Sequence, residues 1–234
     1  MSTDHVIPSS WKHTQLEIFA DINPKLNKIK YSDELEVSFI PMKKVSELTG
    51  VVDLSEIRKF GEVKKGYTHF QNGDIIFAKI TPCMENGKVA ILTGLFNEIG
   101  FGSTEFHVIR LPDYIPRKLL FYYLIQASYR RDAKRNMTGS VGQKRVPSDF
   151  LKHKSIPLPP LPEQHRIIAK IEELFTKLDT GVEALKQAQA QLKRYRKSVL
   201  KAAVEGKLTA EWRESGKEKL ETIEKLMESI QERT

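Results

Sequence analysis

Apolar residues recur at every seventh position over a long stretch of the C-terminal third of the chain. Ile171, Leu178, Leu185, Leu192 and Val199 form one line, and Ile167, Leu174, Gly181, Ala188 and Tyr195 stand four residues before each. Together they make a heptad seam of five repeats, with large aliphatics on one line and smaller residues on the other. The pattern predicts a helix from residue 163 to about 205, a rod of roughly 64 Å at 1.5 Å per residue. Gly181 costs about 1 kcal/mol against Ala in a helix interior, which would allow a local bend near Asp179-Thr180-Gly181. A seam of this length needs a second helix to cover it, from this chain, another copy or another protein.

The rest of the chain follows other periods. Four prolines, Pro157, Pro159, Pro160 and Pro162, exclude a helix running into the rod and suit the first turn of a new one. Upstream, the short runs Ile75-Ile76-Phe77-Ala78 and Phe106-His107-Val108-Ile109 read as strands. Asn72-Gly73 and Asn86-Gly87 read as turns on either side of the first. Residues 117–135 read as one helix whose apolar face includes Leu120, Tyr123, Leu124 and Ala127. After Gly206 the chain reads KLTAEWRES, then a shorter helical stretch with Leu220, Ile223, Leu226, Met227 and Ile230, a connector or small packing helix. The expected class is α+β, a mixed globular domain followed by a long helix forming a coiled coil.

Composition bounds the chemistry. The chain has 234 residues, 40% of them apolar and 29% charged, as in globular proteins. No apolar run reaches membrane-span length, and MSTDHVIPSS lacks a signal-peptide core, so a cytoplasmic protein with no membrane partner is expected. Cys83 stands alone, which leaves no disulfide framework and no thiolate metal site. Charge alters the picture more. Between Arg117 and Lys154 ten Lys or Arg face only Asp132 and Asp149, which accounts for the whole net charge of +8. Such an excess in one segment points to a polyanion partner.

No catalytic constellation accompanies it, and no metal or cofactor is expected. Gly100-Phe101-Gly102 and Gly139-Ser140-Val141-Gly142 fit neither dinucleotide nor P-loop spacing. What remains is a recognition surface on two polar loops, residues 78–88 and 138–147. Lys79, Asn86, Lys88 and Gln143 carry donors suited to base edges. Thr81, Ser140, Arg130, Arg131, Lys134, Arg135, Lys144 and Arg145 suit phosphates.

These residues, with Ile7-Pro8-Ser9-Ser10-Trp11, the junction TGSVGQKRVPSDFLKHKSIPLPPLPEQHRII and the later LKRYRKSVLKAAVEGKLTAEWRE, resemble the specificity subunit of type I restriction–modification enzymes. Residues 80–110 look like one variant of that family's target recognition domain. The resemblance implies a non-catalytic reader of double-stranded DNA that recruits adenine-methylating modification subunits and, for cleavage, motor–nuclease subunits. It also implies two recognition domains held apart by antiparallel helices, whereas this chain has one of each. Residues 1–158 are then expected to form the recognition domain, 159–214 the spacer helix and 215–234 a helical connector. Ile171, Leu174, Leu178, Leu185, Leu192, Tyr195 and Val199 would pair with a second copy or a second half-subunit. Arg194, Lys197, Lys207, Leu208 and Trp212 would dock the modification subunit. The alternative is a coiled-coil adaptor that binds RNA or an acidic protein.

Overall fold

The structure, a computed structural model, describes residues 7–25, 31–140, 142–216 and 222–232. It divides into two compact units, residues 1–171 and 172–234.

In the first unit the elements run β1 (Lys12–Gln15), β2 (Asp21–Ile22), β3 (Glu36–Ile40), β4 (Ile57–Lys59), α1 (Phe60–Val63), β5 (Thr68–Gln71), β6 (Ile75–Ala78) and β7 (Val89–Ile91). There follow β8 (Ile99–Gly102), β9 (Phe106–Arg110), α2 (Arg117–Leu124), α3 (Ala127–Arg135), α4 (Ser148–His153) and β10 (Ser155–Leu158), and then the start of α5 (Leu161–Val204). One sheet has the order β2-β9-β6-β7 and is wholly antiparallel. The other has the order β4-β3-β8-β5, with β3 and β8 parallel. β1 pairs with β10 alone.

The run Ile75-Ile76-Phe77-Ala78 explains the layering. All four side chains are buried, as in a strand covered on both faces. Ile75 and Phe77 join Leu120, Leu124, Tyr129 and Leu151 of the helices in one core. Ile76 and Ala78 turn to the other face, where they meet Ile40 and Phe70 of the second sheet. Within that second sheet Gly100 and Gly102 of β8 leave room for the Phe70 ring and for the β3 backbone. A Cβ at Gly100 would lie 2.3 Å from the Phe70 ring, and one at Gly102 would lie 2.1 Å from the Ile40 carbonyl oxygen. Phe101 between them packs on the far face of its sheet with Val37 and Phe60. A buried ion pair closes the end of β6: Arg110 donates to both oxygens of Asp74 at 2.7 and 2.8 Å, and the Gln71 amide donates to Asp74 at 2.8 Å.

Two expectations from the sequence need correction. Residues 117–135 are two helices, with Gln126 extended (φ −60°, ψ 138°) at the start of α3. The reason is phase. At 100° per residue, Tyr129 and Ala133 would lie roughly opposite Leu120 and Leu124 on a continuous helix. The break returns both pairs to the core, where all four are buried, and leaves Ala127 exposed rather than on the apolar face. The second correction concerns Gly181: α5 runs through it as unbroken helix, 44 residues in all.

The second unit holds the remainder of α5, then α6 (Ala210–Ser215) and α7 (Ile223–Gln231). α5 stops where Gly206 turns left-handed (φ 70°). Arg213 reaches back across that stop, donating to the Gly206 carbonyl at 2.7 Å and the Thr209 hydroxyl at 2.6 Å. Among the described residues nothing in this unit covers its seam: Leu174, Leu178, Leu185, Leu192 and Tyr195 are 51% to 72% exposed, and Val199 is partly exposed. Ile223, Leu226, Met227 and Ile230 of α7 are also exposed. Leu220 lies outside the described residues. Among those residues no helix is long and apolar enough to cross a membrane.

Candidate nucleic-acid interface

The two polar loops, about sixty residues apart in sequence, are joined by their backbones. The Thr81 amide donates to the Lys144 carbonyl at 3.0 Å and the Val146 amide to that of Lys79 at 2.8 Å. Thr138 and Arg145 exchange two bonds of 2.9 and 2.8 Å, which close the 138–145 loop on itself. His107 braces the junction from below. Its Nε2 lies 2.8 Å from the Val146 carbonyl and its Nδ1 3.1 Å from the Asn23 amide nitrogen. Burial lowers its pKa, which keeps the ring neutral.

Glu85 at the centre of the 79–88 loop gathers the neighbouring groups. Thr81 donates to its carboxylate at 2.6 Å, Lys134 lies 3.1 Å away, and Arg130 donates to its carbonyl at 2.6 Å. The Thr81 bond, helped by Lys134, holds the carboxyl below its usual pKa. Helix α3 is thereby fastened to the loop through Arg130 and Lys134, with Arg131 and Arg135 at the next positions round.

The expected contact residues thus divide. Arg131, Arg135, Ser140, Gln143 and Lys144 are exposed, and Lys79 is partly exposed. None of their side-chain cations has an ion-pair partner among the described residues. Others turn inward. Lys88 donates to the carbonyls of Val45 (2.8 Å) and Met42 (3.2 Å), which satisfy a partly buried ammonium and tie the loop to residues 42–45. Asn86 donates to Glu47 at 2.8 Å. Arg145 forms a two-pronged pair with Glu105 at 2.8 and 2.9 Å, which lowers the pKa of that carboxyl. Val141 of the same loop lies outside the described residues.

The basic segment is therefore less basic in space than in sequence. Glu85, Glu105 and Asp113 come from outside it to meet Lys134, Arg145 and Arg117, while Asp132 from within meets Lys154. Of the expected docking residues, Leu208 and Trp212 are about 60% exposed and Lys207 pairs with Glu205 at 2.7 Å. Arg194 and Lys197 lie exposed on α5. Among the described residues no group of three His, Cys, Asp or Glu could hold a metal ion.

The first unit is thus a two-sheet α+β domain that presents paired polar loops, and it is followed in the chain by a long helix with an open heptad seam. The family model for the type I restriction modification DNA specificity domain matches residues 8–194, and the chain belongs to that family. The EcoAI specificity subunit of Escherichia coli is 48% identical over 174 residues, which are 74% of this chain and 29% of that protein. The EcoBI specificity subunit of the same species is 38% identical over 222 residues, 89% of this chain and 44% of that protein. The chain thus spans less than half the length of these relatives. Among solved structures, the HsdS subunit from Thermoanaerobacter tengcongensis matches with a TM-score of 0.55 at 20% identity, over 86% of this chain and 46% of that one. A chain from a type I R-M system assembly matches at 0.59 and 18% identity, over 87% and 48%. At these identities the likeness is one of fold.

Proposed function

We propose that this chain reads one half of a bipartite DNA site and brings adenine-methylating modification subunits, and through them a motor–nuclease subunit, to it. Residues 1–158 would be the reader, 159–214 the spacer and docking helix, and 215–234 a connector. The observation that carries the reading is the joining of the 79–88 and 138–145 loops beside α3, because it gathers unpaired cations and amide donors on one rigid surface. Arg131, Arg135 and Lys144 are assigned to phosphates, Lys79 and Gln143 to base edges. Thr81, Asn86, Lys88, Arg130, Lys134 and Arg145 hold the loops in shape. The names of the relatives, all specificity subunits, support the same reading.

The seam supports pairing with a second copy. In an antiparallel pair Leu185 would face Gly181, Leu178 would face Ala188, Ile171 would face Tyr195, Leu192 would face Leu174 and Val199 would face Ile167. Each small residue then lies opposite a leucine. In a parallel pair Gly181 would face Gly181 and Ala188 would face Ala188, leaving two underpacked layers. The antiparallel pair would present one reader at each end. Arg194, Lys197, Lys207, Leu208 and Trp212 are assigned to the modification subunit.

Duplex binding across a salt series tests the reading. Arg131→Ala should weaken binding to all sequences about equally and reduce the slope of log K against log salt by about one unit. A wild-type chain that binds duplex RNA or an acidic protein as well as it binds duplex DNA would favour the adaptor instead.

A further inference from the structure

Cations separated in the sequence converge at a second place on the first unit. A cleft of about 360 Å³ opens where β5 and β8 of one sheet meet β9 of the other and the segment after β2. Lys25, Lys64 and Lys79 line it, and no carboxylate does among the described residues. Lys64 is held at 2.6 and 2.8 Å by Asp33, which lies outside the lining. The side-chain ammonium groups of Lys25 and Lys79 have no hydrogen-bond or ion-pair partner among the described residues. A concave surface lined by one sign of charge with apolar walls concentrates the field within it.

The remaining lining supplies the other half of the chemistry. Phe101, Phe106 and Val108 form a buried apolar floor, and Tyr67, 40% exposed, stands among the lining residues with its ring edge-on to Phe39 at 4.9 Å. A ligand suited to the cleft is anionic at its rim and apolar where it faces the floor. A sugar–phosphate backbone has that alternation, a charged phosphodiester beside an apolar deoxyribose face. Position strengthens the match. Lys79 belongs both to the cleft and to the joined loops, where its backbone bonds to Glu105 and Val146. A strand lying across the loops would continue into the cleft without leaving the surface.

We infer that this cleft seats a phosphodiester of the bound DNA strand, with Lys25 as its charge partner and Tyr67 against the adjoining sugar, while Lys79 at its edge is left to the neighbouring base. The inference rests on the reading of the domain as a DNA reader and adds a contact surface outside the 79–88 and 138–145 loops. It is sequence-independent by nature, because phosphates carry no base information.

The test uses the full chain and a fluorescein-labelled DNA duplex of mixed sequence, titrated by anisotropy over a salt series. Lys25→Ala should lower the salt slope by about one unit and weaken binding to every duplex alike, while Lys25→Arg should keep the wild-type slope. Lys25 is exposed and has no ion-pair partner among the described residues, so the melting temperature should not change. A wild-type slope for Lys25→Ala, with a reduced slope for Arg131→Ala, would overturn the cleft while leaving the DNA reader intact. Absence of duplex binding by the wild type would overturn both. A parallel titration with AMP separates the sources of phosphate: binding of free AMP to wild type that is lost in Lys25→Ala would make the cleft a nucleotide site and overturn the strand contact.

Discussion

Replacing Gly181 by Leu discriminates between the ways in which α5 can pair. Nothing lies within 4 Å of a Cβ at this position, so the single helix accepts the larger side chain. Leu also favours a helix over Gly by somewhat less than 1 kcal/mol. In the antiparallel pair the site is occupied by Leu185 of the other copy. Leu185 is 72% exposed in one chain, so most of its burial, about 1.5–3 kcal/mol, is still to be gained on pairing. A second leucine in that space overpacks the layer at about 1–3 kcal/mol per site. The two-fold axis applies this twice, giving about 2–6 kcal/mol, or roughly thirtyfold to twenty-thousandfold in dissociation constant at about 1.4 kcal/mol per tenfold. Sedimentation equilibrium should show Gly181→Leu weakening the dimer. The double variant Gly181→Leu with Leu185→Ala should recover much of the loss, since it exchanges the large and small partners of one layer. Tighter association of Gly181→Leu would refute the antiparallel register, because a parallel pair has a void between facing glycines. A wild-type monomer at tens of micromolar would refute self-pairing through this seam altogether.

Two further predictions concern stability. Asp74→Asn leaves the Arg110 guanidinium partly buried without its counter-charge, and should cost about 3–5 kcal/mol in denaturant unfolding; an unchanged midpoint would refute the role given to this pair. His69 titrates near pH 4 in the fold, chiefly because burial disfavours its charged form, with the Arg110 charge adding to the effect. Its ordinary value is 6.5. Between these values the unfolded chain binds the proton and the fold does not, so stability should fall as pH drops through that window, with no further loss from this group below it. Melting temperature against pH should slope accordingly and become flatter in His69→Phe, and a flat wild-type profile would refute the assignment.

What was legible in the sequence was what depends on local period. The Ile75–Ala78 run is a strand covered on both sides, and the heptad leucines lie on one continuous helix, because each pattern repeats within a few residues. The break between α2 and α3 was also written locally. Leu120 and Leu124 are half a turn out of phase with Tyr129 and Ala133, a shift that attention to the charged residues alone overlooks. Spatial charge is another matter. Glu85 and Glu105 neutralise Lys134 and Arg145 from roughly forty to fifty residues away in sequence. Lys25 and Lys79 come to one cleft only because two sheets pack face to face. Pairings of that kind depend on sheet order, and no window of the sequence carries it.

The ladder of β1 with β10 has a consequence for the lineage and for the engineer. Lys12 pairs with Leu158 and Gln15 with Ser155, so the chain enters and leaves this body of structure at adjacent points. Everything from residue 16 to 154 is a loop closed at its base by four residue pairs, and the helix that follows begins within three residues of that closure. An insert of different length or sequence can be carried between the same two strands while the helix keeps its starting point. The ladder therefore acts as a socket: the segment between its two strands can be exchanged, by recombination or by design, without rebuilding what lies downstream.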